Sequence, residues 1–263
     1  MSDNDILFKA ENGIATITLN QPEKKNAFNM GMIERWAQAL VEWRTDPNVK
    51  VIVLTGTGDA FCSGVDLGSN TNRVEMGPYD HKSVLWDKIH RIALALEDLD
   101  KPVIAAVNGV AVGAGLDMAL MCDIRFAADT ARMSEGYVRV GLVPGDGGCY
   151  FLPRLVGLAK ALELLLTGDF IDAQEALRIG MVNRVYPADK LMQETYAYAR
   201  KIADGPSLII QTIKRATYQS SRSDLRTALD LISSHMGVVR STEDHRRTMA
   251  AAMERLKKSP SKG

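Results

Sequence analysis

Between Asn108 and Asp117 the chain reads Asn-Gly-Val-Ala-Val-Gly-Ala-Gly-Leu-Asp, so that three glycines and two alanines lead up to a carboxylate. Small residues let a backbone approach a ligand closely, and the run passes from an apolar stretch into a helical segment. The first N–H groups of such a helix have no partner within it and can receive negative charge. Asp117 lies three residues after Ala114, on the same face and about one turn along. A carboxylate would then stand beside an anion-stabilising amide, as acid-base chemistry on an enolate requires. The same residues also fit a tight strand-to-helix joint in which Asp117 is favoured by the helix dipole. Gly109 and Gly113 are too far apart for the G-x-G-x-x-G dinucleotide fingerprint.

Ala60-Phe61-Cys62-Ser63-Gly64-Val65-Asp66-Leu67 occupies the matching place after the preceding strand. Gly64 permits an unusual turn that leaves the Val65 amide available. If that amide converged with the one at Ala114, the two would form an oxyanion hole; otherwise the segment is an ordinary loop. A third carboxylate, Asp146 in Pro144-Gly145-Asp146-Gly147-Gly148, either faces the same pocket or caps a helix starting at Gly147 or Gly148. Cys62 has no histidine beside it and reads as small-core packing. His81, His90, His235 and His245 are scattered and make no zinc set.

These segments need strands and helices to hold them. Ile6 to Phe8 and Ile14 to Leu19 read as a hairpin around Glu11-Asn12-Gly13. Apolar spacing predicts a helix over Met30 to Arg44, followed by a buried strand over Val49 to Leu54. The rhythm repeats with a helix over Tyr79 to Leu96, the breaker Asp100-Lys101-Pro102, a strand over Val103 to Val107 and a further strand over Ile124 to Ala127. Such repeats argue for parallel crossover units with strands buried on both faces. After Phe151 the pattern is helical, over Leu158 to Thr167, Ala173 to Ile179, Ala188 to Ala203, Ser207 to Thr217 and Ser223 to Lys257. Those helices cover the α/β core or meet another subunit.

The chain resembles the crotonase superfamily of enoyl-CoA hydratases, isomerases and related acyl-CoA hydrolases. The resemblance runs through Asn20-Gln21-Pro22-Glu23-Lys24-Lys25-Asn26-Ala27-Phe28, Phe61 to Leu67, Lys101 to Asp123, Val140-Gly141-Leu142-Val143-Pro144, Leu164 to Gly168 and Ala173 to Val182. It implies an α/β fold with a spiral core of repeated β-β-α units over residues 1–200. A helical C-terminal region over 201–263 would serve in trimerisation and in covering the site. It further implies a homotrimer or a dimer of trimers, an acyl-CoA thioester substrate, and no cofactor beyond the CoA that the substrate carries. Val65 and Ala114 would supply the N–H groups that hold the thioester oxygen. Lys25, Ala27 and the loop carrying Ala60, Ser63, Val65, Asp66 and Leu67 would help to hold the CoA moiety, although a lysine such as Lys25 is also an ordinary surface residue.

The family pattern breaks at the acids. Many hydratases of this type hold water with two glutamates, and Asp117 occupies the first of those positions on a shorter arm. The second falls at Tyr137, whose ordinary pKa of about 10 makes it a poor base at neutral pH but a hydrogen-bond donor. Glu135 is near in sequence but out of register. Asp117 and Asp146 are therefore expected to flank the acyl group, with Tyr137 orienting substrate, water or the other acid. Such a site could isomerise or hydrate an enoyl-CoA, or cleave a carbon–carbon bond as a β-ketoacyl-CoA hydrolase; an inactive CoA-binding protein is a further reading. Residues 79–86 would cover the acyl pocket, where Trp86 and Phe61 either touch the acyl group or fill the core.

The 32 basic and 32 acidic side chains of the 263 residues cancel, which argues against a nucleic-acid groove as the working surface. Cys62, Cys122 and Cys149 show neither a C-x-x-C pair nor a disulfide framework. With no apolar leader and no long uncharged stretch, the expectation is a cytoplasmic protein without a membrane span.

Overall fold

The computed structural model describes residues 4–66 and 76–258, so Leu67 lies outside the described residues. Strands β1 (Ile6–Glu11) and β2 (Ile14–Leu19) pair antiparallel about Asn12 and Gly13, both at positive φ. Helix α1 (Met30–Thr45) starts at Asn29, whose side chain accepts from the Met32 N–H, and buries Ile33, Trp36, Leu40 and Trp43 along one stripe.

Three β-β-α turns follow. The first is β3 (Val51–Gly56), β4 (Ala60–Cys62) and a helix that runs from α2 (Pro78–Ser83) through a π turn at Val84–Ile89 into α3 (His90–Glu97). The second is β5 (Val103–Val107), β6 (Val110–Val112) and α4 (Ala114–Leu120). The third is β7 (Ile124–Ala128), β8 (Arg132–Ser134), a 3-10 turn at Gly136–Val140 and α5 (Gly148–Val156). In each turn the first strand joins a large sheet and the second joins a small one, which is the spiral.

Helix α6 (Leu158–Thr167), β9 (Ile171–Asp172), α7 (Ala173–Arg178), β10 (Arg184–Tyr186) and α8 (Leu191–Ala203) close the two sheets. Their orders are β1-β2-β3-β5-β7-β10 and β4-β6-β8-β9, with every pairing parallel except β1 with β2 and β8 with β9. All five residues of β5 are buried, and α8 packs against the large sheet. A strand covered on both faces needs an unbroken apolar run, and Val-Ile-Ala-Ala-Val supplies it.

Helices α9 (Ser207–Ser220), α10 (Leu225–Arg240) and α11 (Glu243–Lys258) form the C-terminal region. The single helix expected over Ser223 to Lys257 is therefore two. Ser241 and Thr242 break it: their hydroxyls donate to the Val238 and Val239 carbonyls, and Thr242 Oγ1 then accepts the His245 N–H at the start of α11. Helix α9 docks on the core through Lys214, 2.7 Å from Asp123, and through the Tyr218 hydroxyl, which donates to Asp123 at 2.8 Å. Leu225, Leu229, Met236, Val238, Met253 and Leu256 on α10 and α11 are exposed. Among the described residues no helix is long and apolar enough to cross a membrane.

Candidate active site

The segment after β4 is fixed from two directions. Asn26 and Asn108 both donate to the Ala60 carbonyl, at 2.8 and 2.9 Å, and Asn26 donates again to the Thr57 carbonyl. Beyond Ala60 the chain pairs parallel with Phe28, whose N–H donates to Gly64 O and whose carbonyl accepts from Asp66 N. In a parallel pairing the residue between those two partners turns its own N–H to the opposite side. The Val65 amide thus points away from Phe28.

Glycines bring α4 against the same segment. A Cβ at Gly115 would lie 2.2 Å from the Cys62 carbonyl oxygen, and one at Gly109 would lie 2.0 Å from that of Asp59, so the two backbones touch with no room for side chains. Gly64, at φ +95°, would place a Cβ 3.7 Å from the Ala114 nitrogen. The residue preceding Val65 therefore abuts the first amide of α4. Gly113, at φ 52° and ψ −123°, makes the turn into that helix.

The acids gather around Asp117 of α4. Asp117, Tyr137 and Asp146 are buried, and Asp117 is wholly so. Tyr137 Oη lies 2.7 Å from Asp117 Oδ2 and 2.8 Å from Asp146 Oδ2. A phenol has one hydrogen to donate, so both contacts are hydrogen bonds only when one acid is protonated and donates in return. Burial raises the Asp117 pKa above the ordinary carboxylate range; the Tyr137 hydrogen bond opposes that rise, and the charge of Asp146 adds to it. Burial and the two neighbouring acids hold the Tyr137 hydroxyl protonated. Asp146 does not cap α5, since no side chain caps that helix and its N-cap residue is Gly147.

Beside Asp146 opens a cavity of about 450 Å³, lined by Trp86, His90, Leu94, Met121, Tyr150 and Phe151, by Tyr218 of α9 and by Arg222 just beyond its end. His90 Nε2 is 2.7 Å from the Gly145 carbonyl oxygen, which ties the cavity wall to the residue before Asp146. Arg222 is paired with Glu97.

The structure brings Asp117, Tyr137 and Asp146 together and sets Gly64-Val65 against Ala114. Ala27, Ala60, Ser63 and Asp66 lie in one neighbourhood with Lys25: Ser63 N donates to the Lys25 carbonyl, and Lys24 Nζ meets Asp66 at 2.7 Å. Lys25 itself is exposed and paired with Asp59. Ala27 and Ala60 are buried. Phe61 is core, Trp86 lines the cavity and His81 is exposed. Cys62 is buried, and burial pushes its thiol up to about 12. Two residues were missed: His90, and Glu135, which is buried against Asp117 rather than turned aside. No spacing signals Glu135, because the chain leaves β8 at Ser134 and enters the 3-10 turn at Gly136. Among the described residues no group of three or more His, Cys, Asp or Glu side chains is arranged to hold a metal ion.

A family model described as enoyl-CoA hydratase/isomerase matches residues 9–260. The chain is 36% identical over 260 residues to a short-chain-enoyl-CoA hydratase of Clostridium acetobutylicum, covering 98% of this chain and 97% of that protein. It is 35% identical over 256 residues to the 1,2-epoxyphenylacetyl-CoA isomerase of Escherichia coli, covering 97% of each. The crystal structure of an enoyl-CoA hydratase from Bacillus anthracis superposes with a TM-score of 0.89 at 32% identity, over 95% of this chain and 96% of that one.

Proposed function

The chain belongs to the enoyl-CoA hydratase/isomerase family, and from that premise we propose that it moves a proton within an enoyl-CoA thioester, shifting a double bond rather than adding water. The observation that carries this reading is the Tyr137 hydroxyl, which occupies the space between Asp117 and Asp146. Many hydratases of this type grip a water between two carboxylates; here the gap between Asp117 and Asp146 is already filled by a group that carries a proton but is not consumed. The three groups hold one acid proton and one negative charge, which is what a step that removes a proton from one carbon and returns it to another requires.

In this reading the thioester oxygen lies between the Val65 and Ala114 N–H groups. A shift through the Tyr137 hydroxyl first moves the acid proton from Asp146 to Asp117, and Asp146, at the cavity edge, then removes a proton from the carbon α or γ to the carbonyl. The C–H electron pair enters conjugation and negative charge builds on the oxygen, where the two amides stabilise the transition state more than the ground state. Loss of one such donor costs about 3 to 4 kcal/mol in comparable sites. The acid trio then returns a proton to the other carbon, with Tyr137 passing it when it comes from Asp117. The thioester stays intact and no water is used. Lys25, Ala27, Ala60, Ser63, Val65 and Asp66 hold the CoA moiety, and further copies of the chain cover the exposed apolar side chains of α10 and α11 in a homotrimer or dimer of trimers.

Incubation with straight-chain enoyl-CoAs, their positional isomers and cyclic β-ketoacyl-CoAs, followed by mass spectrometry, tests the reading. The expected product has unchanged mass and a moved double bond. Gain of one water would replace isomerisation by hydration or by the ring opening of a β-ketoacyl-CoA hydrolase. Retained CoA affinity without any product would leave a binding protein.

A further inference from the structure

Glu135 has no part in the steps above, yet it is 1% exposed and neither carboxyl oxygen receives an N–H or O–H from the described residues. It sits between the end of β8 and the 3-10 turn, and the Tyr137 N–H donates to its backbone carbonyl at 2.6 Å. Its side chain reaches Asp117. A methyl group on Gly148 would lie 2.6 Å from Asp117 Oδ1, 2.9 Å from Glu135 Oε2 and 3.1 Å from Glu135 Oε1, so three carboxyl oxygens surround one point where only glycine fits. The two carboxyls therefore face each other across that point. Two carboxylates so placed, with no donor between them, repel each other, so one of the pair is an acid.

Which one carries the proton follows from their other partners. Asp117 Oδ2 accepts from Tyr137, a donor that favours its ionised form. Glu135 has no comparable donor, and an unpaired charge in a buried site is costly. The ionisable groups that face it are Asp117 on α4, Tyr137 in the 3-10 turn, Asp146 on the loop before α5 and Cys149 on α5. Each of them, when ionised, repels a second negative charge.

We propose that Glu135 is a neutral carboxylic acid in the working protein, donating its hydrogen to Asp117 Oδ1 and so acting as a positioning residue. It fixes the rotation of the Asp117 carboxyl and makes ionisation possible in a site closed to water. The proposal rests on the reading of Asp117 as part of the acid trio. The raised Glu135 pKa, which burial causes first and Asp117 second, agrees with it.

Infrared spectroscopy of the whole chain without ligand, titrated across neutral pH, tests this. A buried carboxylic-acid C=O band is expected above about pH 7 and is expected to vanish in Glu135→Gln. That variant keeps a neutral donor, so the titration of Asp117, identified by its loss in Asp117→Asn, stays where it is in the wild type. Glu135→Leu removes the donor and moves that titration to higher pH. The proposal is overturned if no acid band is lost in Glu135→Gln, or if Glu135→Gln moves the Asp117 titration to lower pH, the result of deleting an ionised neighbour. If Glu135→Leu fails to fold, Glu135→Gln alone decides. No substrate is present in this experiment, so a negative result leaves the acyl-CoA reading standing, and an empty acyl-CoA panel leaves the infrared result standing.

Discussion

The face of the site where β4, β6 and α4 meet is made of backbone, whereas the face where Asp117, Glu135, Tyr137 and Asp146 meet is made of side chains. On the first face, Gly109 and Gly115 press main chain against main chain, and the groups assigned to the proposed reaction are amides, which every residue type carries except proline. On the second face, three different elements each deliver an acid or a phenol into a closed space, and exchanging one side chain changes the proton inventory. A side-chain substitution can therefore change the acid face while leaving the backbone face as it is.

Several substitutions press on that contrast. The largest effect is expected from Asp146→Asn and Asp117→Asn, each lowering kcat on the accepted acyl-CoA by about 10²- to 10⁴-fold with a smaller change in KM. Near-normal turnover in both would remove the acid face from the chemistry. Gly115→Ala is the matching blow to the backbone face. It forces a methyl group to 2.2 Å from the Cys62 carbonyl oxygen and should destabilise the fold by about 1 to 3 kcal/mol or more, read from denaturant unfolding, while an unchanged midpoint would show that the backbones can part.

Tyr137→Phe keeps the ring against Gly113 but leaves two buried acids without their common donor, at a cost of about 1 to 3 kcal/mol in the chemical step. Because the tyrosine hydrogen bond lowers the Asp117 pKa, its loss should move the limb of the pH-rate profile that reports Asp117 to higher pH. The smallest effect concerns stability against pH. Asp117 is raised on folding, so its contribution is fully present below an unfolded pKa of about 4 and is lost as pH rises through the folded value. Tm should fall over that window in the wild type and fall less in Asp117→Asn.

The same contrast explains what the sequence made legible. Glycines at 64, 109, 113 and 115 advertise backbone geometry, so the tight joint at α4 is legible in residue types, whereas the pairing of the Val65 and Ala114 amides is implied only by the family resemblance. The acid face was legible only in part. Asp117 follows from helical spacing, whereas the meeting of Tyr137 with Asp146 depends on a 3-10 turn and a loop whose path no periodicity encodes. Glu135 is out of register with the family pattern, and only the same turn brings its side chain to Asp117. Strands β4, β6 and β8 have only three residues each, too few for alternation to show.

The contact between His90 and the Gly145 carbonyl makes one peptide unit serve two masters. On one side it belongs to the cavity wall, against which the proposed reaction would size the acyl group; on the other it carries the backbone of Asp146. An acyl group too bulky for Trp86 and His90 would drag the base off its line to the reacting carbon. Misfit would then be punished in turnover as well as in affinity, because displacement of a reacting group by about 1 Å can cost a hundredfold in rate. Selectivity in this protein would accordingly be written in kcat, and a ranking of substrates by binding alone would misjudge it.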